Sequence, residues 1–196
     1  MKEKFTFLLV VILGFSITSC LDFKVKKTEK EISLDDFKKV EINHEYQVSI
    51  PKYMRKTNSL NDDASLQCQN IFKETYLIII DEPKDEFIKV FRELEQYNEE
   101  LSLVENYREI QLQFFAENMK TLNASDPISL KINQLNAEML EIDGEVEDID
   151  EELTYFITFI EGDKKVYMIM AWTMASKKEE YRATFESASK SFGLIN

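Results

Sequence analysis

The chain has 196 residues, a formal net charge of -13, 44% hydrophobic residues, fourteen Phe, two Cys and one His. That length suits one domain with a sizeable core. So acidic a surface repels phosphate backbones and anionic head groups and argues against nucleic-acid binding, and two cysteines rule out a disulfide framework.

Lys2 and Lys4 supply a positive start, and Phe5 to Ile17 form a stretch of 13 apolar-rich residues. This is within the range of a signal-peptide core and short of the about 20 residues that a membrane-spanning helix needs. The stretch runs into Ile17-Thr18-Ser19-Cys20, an aliphatic residue, two small residues and a cysteine. That tetrad resembles the lipobox of bacterial lipoproteins. The resemblance implies recognition of Ile17, Thr18 and Ser19 by a signal peptidase, cleavage before Cys20, and acylation of the Cys20 thiol and new amino terminus with palmitate-type chains. An ordinary secretory leader with an incidental cysteine is the alternative. On the lipobox reading, residues 1–19 are a signal peptide, 20–33 a lipidated cysteine and a flexible lysine-rich tether, and 34–196 a single globular domain. Leu21 stands where an inner-membrane retention aspartate would otherwise follow the cysteine, which favours the outer membrane, and the basic segment after it favours a domain facing the periplasm.

From Phe37 onward the pattern becomes periodic. Val40 and Ile42, then Tyr46, Val48 and Ile50, alternate with polar neighbours until Pro51, as a strand and its exit turn would. Asn61-Asp62-Asp63 marks a turn, and Ala64 to Asn70 alternates again, with Cys68 as a half-buried strand residue. Phe72 to Asp81 contains Tyr76-Leu77-Ile78-Ile79-Ile80, apolar on both faces, which predicts a strand covered on both sides. Pro83 suits the first position of a helix over Lys84 to Glu99, with Phe87, Val90, Phe91 and Leu94 on its apolar face. Ser102 with Glu105 forms a capping-box pattern for a second helix running to about Leu122, and Asn123 to Pro127 reads as a loop. Ile128 to Ile142, Leu153 to Glu161 and Lys165 to Thr173 read as strands, with a tight turn at Gly162-Asp163. Val166 to Trp172 is again apolar on both faces, so it and the Tyr76 run are the expected sheet centre. Ser176 and Glu179 predict a further capping box for a last helix, with Tyr181, Phe185, Ala188 and Phe192 on one face and Gly193 as its stop.

Strands that are apolar on both faces, a helical pair in the middle and one helix at the end predict an α+β fold, an α/β/α sandwich around a mainly antiparallel sheet. The order of elements resembles the PsbP-like family, which includes the Ran-binding Mog proteins and the DcrB-type envelope lipoproteins. The resemblance is carried by Tyr46-Gln47-Val48-Ser49-Ile50-Pro51, by Asp63-Ala64-Ser65-Leu66-Gln67 after an acidic turn, by the central helices, by the late hairpin and by the last helix finishing at Ser191-Phe192. It implies a binding or assembly factor without a shared catalytic site.

His44 lies in a polar stretch between strand-like runs and reads as a surface turn residue. There is no HExxH or paired-cysteine pattern, no GxSxG elbow and no phosphate-cradling glycine loop, so no metal, cofactor or catalytic residue is expected. Between Glu141 and Glu152 stand eight acids in twelve residues, which read as a solvated connection between strands in preference to a calcium site or a glycosidase-like acid pair. Tyr107, Phe114 and Phe115, with Met168, Met170 and Trp172, are the candidates for an apolar pocket between helix and sheet, and plain core is the reading weighed against it. The expected function is a membrane-anchored, non-enzymatic envelope lipoprotein that binds or assembles another envelope protein. A periplasmic carrier of an apolar ligand or lipid is the alternative.

Overall fold

A computed structural model describes residues 33–147 and 149–195, so the expected leader, Cys20 and all of the tether before Ser33 lie outside the described residues. The chain opens with a hairpin of β1 (Phe37–Ile42) and β2 (Tyr46–Pro51), whose turn places Asn43 and His44 at φ 51° and 56°. The two-residue β3 (Arg55–Lys56) leads to β4 (Ala64–Asn70) and β5 (Thr75–Pro83). Two helices follow, α1 (Lys84–Glu93) and α2 (Leu103–Asn118). Then come β6 (Lys120–Ala124), β7 (Ile128–Ile132), β8 (Leu135–Glu145), β9 (Leu153–Glu161) and β10 (Lys165–Met174). Helix α3 (Lys178–Lys190) and the short β11 (Gly193–Leu194) close the fold.

One large antiparallel sheet runs in the order β3-β4-β5-β10-β9-β8-β6, with β7 also paired to β8, and a smaller sheet runs β1-β2-β11. Strands β5 and β10 are the central pair, in register at Ile79 and Ile169, as their two-faced apolar runs predict. Leu77 and Ile79 of β5, with Tyr167, Ile169 and Ala171 of β10, face a core that includes Tyr181, Phe185, Ala188 and Phe192 and the hairpin residues Tyr46, Val48 and Ile50. Ile78, with Val166, Met168 and Met170, faces a second core under α1 and α2 that includes Phe87, Phe91, Tyr107 and Ile110. Side-chain alternation along a strand is what sends neighbours to opposite cores. The fold is therefore an α+β sandwich, with α1 and α2 on one side of the sheet and α3 with the small sheet on the other.

The small sheet is fixed to this frame at several points. The Tyr46 ring stacks on Phe192 at 5.2 Å and meets Tyr167 edge-on at 5.5 Å, while its hydroxyl lies 2.8 Å from Ser65 Oγ. Lys165 donates to Glu45 and to Asp81 at 2.7 Å each, joining the first hairpin to the start of β10.

Several boundaries differ from the sequence reading, each for a local reason. Pro83 is the last residue of β5 and the N-cap of α1, one position before the expected place. Helix α1 stops at Glu93 and not Glu99, because Glu95 turns left-handed at φ 57°. The Glu95 and Gln96 amides then donate back to Arg92 and Phe91 carbonyls at 3.1 and 2.9 Å, a Schellman ending. The stretch expected to continue α2 and then loop instead forms β6, paired with β8 at Lys120↔Glu145. Ile128 to Ile142 is two strands and not one, folded at Asn133 and Gln134, whose φ values of 47° and 73° fit a tight hairpin. A 3-10 turn of Ala175–Lys177 precedes α3, which starts at Lys178 without the side-chain cap expected of Ser176. Gly193 does not act as a left-handed stop; it pairs with Gln47 in β11.

Truncating the centre of the α3 face tests this architecture. Phe185 is fully buried and Leu34 is 92% exposed, so Phe185→Ala should lower the urea-unfolding free energy by about 3–5 kcal/mol, and Leu34→Ala should leave it within about 0.5 kcal/mol.

Candidate functional site: the helical face of the sheet

The α2 side of the sheet gathers most of the residues singled out by composition. The start of α2 is set by the expected capping box: the Glu105 amide donates to Ser102 Oγ at 3.3 Å and the Ser102 amide to Glu105 Oε2 at 2.8 Å. This fixes the phase of the helix so that Tyr107 points into the sheet. Its ring meets Phe87 edge-on at 5.2 Å and Phe159 at 5.8 Å. Its hydroxyl donates to Glu82 Oε1 at 2.9 Å, and Gln111 Nε2 donates to the same oxygen at 2.8 Å. Burial pushes the Glu82 carboxyl above its usual range, against the opposing effect of the Tyr107 hydrogen bond and with Asp63 adding to the rise. Burial likewise raises Tyr107 well above an ordinary phenol.

Five of the six pocket candidates belong to one core. Tyr107, Met168 and Met170 are buried in it, and Phe115 and Trp172 pack against it. Trp172 stacks on Tyr76 at 5.2 Å and on Tyr155 at 6.0 Å, and Tyr155 meets Phe115 edge-on at 5.0 Å, so the rings form a continuous ladder from β5 across β10 and β9 to α2. The sixth, Phe114, is 47% exposed, with its ring 6.2 Å from Phe91. Two concavities flank the layer, and none of the six lines either of them. One, of about 930 Å³, is bordered by Met119, Lys120, Val146, Ile149 and neighbouring acids. The other, of about 450 Å³, lies between Ser102, Glu105, Ser129, Lys131 and Glu138.

The surface of this layer carries apolar groups that the helical period assigned to the core. Val90 is 39% exposed and Leu94 58% exposed, four residues apart on one side of α1. Phe114 of α2 meets Phe91, the neighbour of Val90 in α1. Glu86 and Glu93 lie four before and three after Val90, and Glu117 three after Phe114, spacings that place them on the same helix surfaces; all three are exposed. The sequence signal for this patch was present in the apolar stripe itself, but periodicity does not say how much of a stripe a sheet can cover.

The remaining chemistry-bearing residues lie elsewhere in the fold. His44 is an exposed turn residue with Nδ1 2.7 Å from Glu41. Cys68 is fully buried, and burial pushes its thiol up to about 11, away from reactivity. The acid run divides. Glu141, Asp143 and Glu145 belong to β8, where the first two meet α3. Lys178 donates to both Asp143 oxygens at 2.9 Å, Thr154 donates at 2.6 Å, and Arg182 pairs with Glu141. Although burial works to raise it, these hydrogen bonds hold Asp143 below its usual range. Only the part after Glu145 is the expected connection. Among the described residues no group of three or more His, Cys, Asp or Glu could hold a metal ion, and no helix is long and apolar enough to cross a membrane. Arg108 pairs with the buried Glu138, to which Ser129 Oγ also donates at 3.0 Å, tying α2 to the β7–β8 hairpin. Ile17, Thr18, Ser19 and Cys20 lie outside the described residues.

The layering and strand order define an antiparallel α+β sandwich, and the particular form is the PsbP-like one. The solution structure of cyanobacterial PsbP (CyanoP) from Synechocystis matches with a TM-score of 0.53 at 10% identity, over 84% of this chain and 95% of that one. Looser likenesses are LpqN of Mycobacterium tuberculosis, a protein involved in cell envelope biogenesis, at TM-score 0.46 and 8% identity over 77% of this chain and 83% of that one. The Ran-binding protein Mog1p of Saccharomyces cerevisiae matches at 0.45 and 8% over 82% and 96%. At such identities the likeness is one of fold alone. No protein-family model matches the chain, and no curated protein does.

The Glu82 site has a readable pH signature. A carboxyl raised by folding contributes stability that is present below its unfolded value, about 4.3, and is lost as pH rises through its folded value. Glu82→Gln, which keeps an acceptor for Tyr107, should flatten the fall in unfolding free energy from acid toward neutral pH, measured by urea titration at a series of pH values.

Proposed function

We propose that this chain is a lipid-anchored protein of the bacterial envelope, facing the periplasm from the outer membrane, and that its domain is a non-enzymatic module that docks another envelope protein. The anchor rests on Ile17-Thr18-Ser19-Cys20 and the apolar stretch before it. Two or three acyl chains, at about 0.8 kcal/mol per buried methylene, suffice to hold a domain at a membrane.

The observation that carries the docking reading is the set Val90, Leu94 and Phe114, partly exposed on the α1–α2 layer, where Phe114 meets Phe91, in a chain whose net charge is -13. Apolar groups that a core leaves uncovered and acids surround suit a partner segment that is apolar at its centre and basic at its rim. Interfaces of this kind draw most of their energy from a few central aromatic and aliphatic anchors, while the rim charges set orientation and on-rate.

Leu94→Asp with Phe114→Asp tests it. Both positions are exposed, so the domain should keep its unfolding midpoint, while a partner cross-linked to the wild-type chain in intact envelopes should be lost. Undiminished cross-linking to the same partner would overturn the assignment of this face.

A further inference from the structure

Positive charge is scarce on this chain, and nine of the eighteen lysines and arginines among the described residues are spent on neighbouring acids: Lys84, Arg92, Arg108, Lys120, Lys165, Lys177, Lys178, Arg182 and Lys190 all stand in ion pairs. Of the other nine, Lys52, Arg55, Lys56 and Lys73 are all exposed. They also share one corner of the molecule. Strand β3 sets Arg55 opposite Gln69 and Lys56 opposite Cys68, at the approach to the β4–β5 turn. Within that turn Asn70 Nδ2 donates to the Tyr53 carbonyl at 2.8 Å, and the Lys73 ammonium lies 5.4 Å from the centre of the Tyr53 ring. The outermost point of the turn is apolar: Ile71 is 60% exposed and Phe72 91% exposed.

The entry of the chain into the domain lies at the same corner. The Lys52 amide donates to the Asp36 carbonyl at 2.8 Å, and Lys38 Nζ to the Met54 carbonyl at 2.9 Å. Asp36 is sixteen residues beyond Cys20. The acids of the corner are fewer than its bases. Asp35 and Asp36 stand at the entry, Glu74 of the turn is engaged by Lys177, and Glu180 of α3 is within electrostatic reach of Tyr53.

We propose that this corner is a membrane-contact site: Phe72 and Ile71 enter the interfacial region of the bilayer, and Lys52, Arg55, Lys56 and Lys73 meet anionic lipid phosphates. Aromatic and aliphatic side chains ringed by lysine and arginine suit the head-group boundary, and each base near an anionic surface strengthens attachment about fivefold. The inference rests on the anchored reading for its strength, because a tether beginning at Cys20 keeps this corner close to the bilayer and makes a weak contact effectively intramolecular. The rest of the surface is acidic and is repelled by the same lipids, so the contact would also orient the domain. Strand β5 runs from Thr75 beside the tip to Pro83 beside Lys165, which puts the β9–β10 turn at the far end of the sheet.

The test places an environment-sensitive fluorophore on Phe72→Cys and, separately, on Asp163→Cys in that far turn, in the purified full-length processed protein. Cys68 is buried and an acylated Cys20 is blocked, and the same labelling on a Cys20→Ser background keeps the introduced thiol the one that reacts where the anchor is absent. Each protein is added to protein-free vesicles of phosphatidylethanolamine and phosphatidylglycerol, and detergent-phase partitioning of the same preparation reports the anchor independently. The expected result is a blue shift and protection from aqueous quencher at position 72 and not at 163, with the vesicle affinity of a Cys20→Ser chain falling on the order of a hundredfold when Lys52, Lys56 and Lys73 all become Ala. Protein that partitions with detergent while position 72 stays as water-exposed as 163 would overturn the contact and leave the anchor standing. Protein that partitions with water while position 72 still shifts on the vesicles would support the contact and remove the anchor. A shift seen in native membranes and not in protein-free vesicles would assign the corner to a protein partner and overturn the lipid contact.

Discussion

Strands β5, β10 and β9 carry apolar side chains on both faces, and the rest of the molecule is arranged to cover them. Tyr167, Ile169 and Ala171 alternate with Val166, Met168 and Met170 along a single strand, so no arrangement with one face in water is open to it. The chain answers with α1 and α2 on one side and α3 on the other. The first hairpin completes the second cover: Tyr46 packs on Phe192 and Tyr167, and Val48 and Ile50 are buried in the same core. Burial on both faces accounts for a domain held together without a disulfide, its one described cysteine sealed in β4.

Covering a sheet with two short helices has a consequence at the surface. Helix α1 ends at Glu93 in a left-handed turn, and its apolar stripe is wider than the strip of sheet beneath it. Phe87 and Phe91 are buried, while Val90 and Leu94 remain in contact with water. Four exposed bases outside the ion pairs, Lys52, Arg55, Lys56 and Lys73, lie around Tyr53 and the β4–β5 turn. The molecule therefore has two unlike faces, one acidic and apolar and one basic and apolar, on a single rigid frame. A domain that stands on a membrane and presents a docking face to a second protein needs two such surfaces.

Much of this was legible in the residues. Period-two runs apolar at every position marked β5 and β10 as central, and the 4, 3 and 4 steps of Tyr181, Phe185, Ala188 and Phe192 marked the α3 face, because both patterns are direct records of burial. Boundaries were less legible where an unexpected residue adopts a left-handed backbone: Glu95 ends α1, and Asn133-Gln134 makes a hairpin with no glycine. The acid run misled because composition drowned its alternation. Ile142 and Val146 face the opposite way to Glu141, Asp143 and Glu145, and cations on α3 wait for two of those acids. The membrane-contact corner is assembled by pairing between β3 and β4 and by side-chain bonds across the turn, so nothing in the linear order of Lys52, Arg55, Lys56 and Lys73 announces it.

The account depends on a covalent event at one sulfur atom that places this acidic domain at a surface its own charge would avoid. Intact-mass and amino-terminal analysis of the processed protein purified from bacterial membranes tests this most directly. The account predicts a chain beginning at Cys20 and heavier than its polypeptide by two or three acyl chains. A processed chain that begins elsewhere, or one that begins at Cys20 with no added mass, would contradict it.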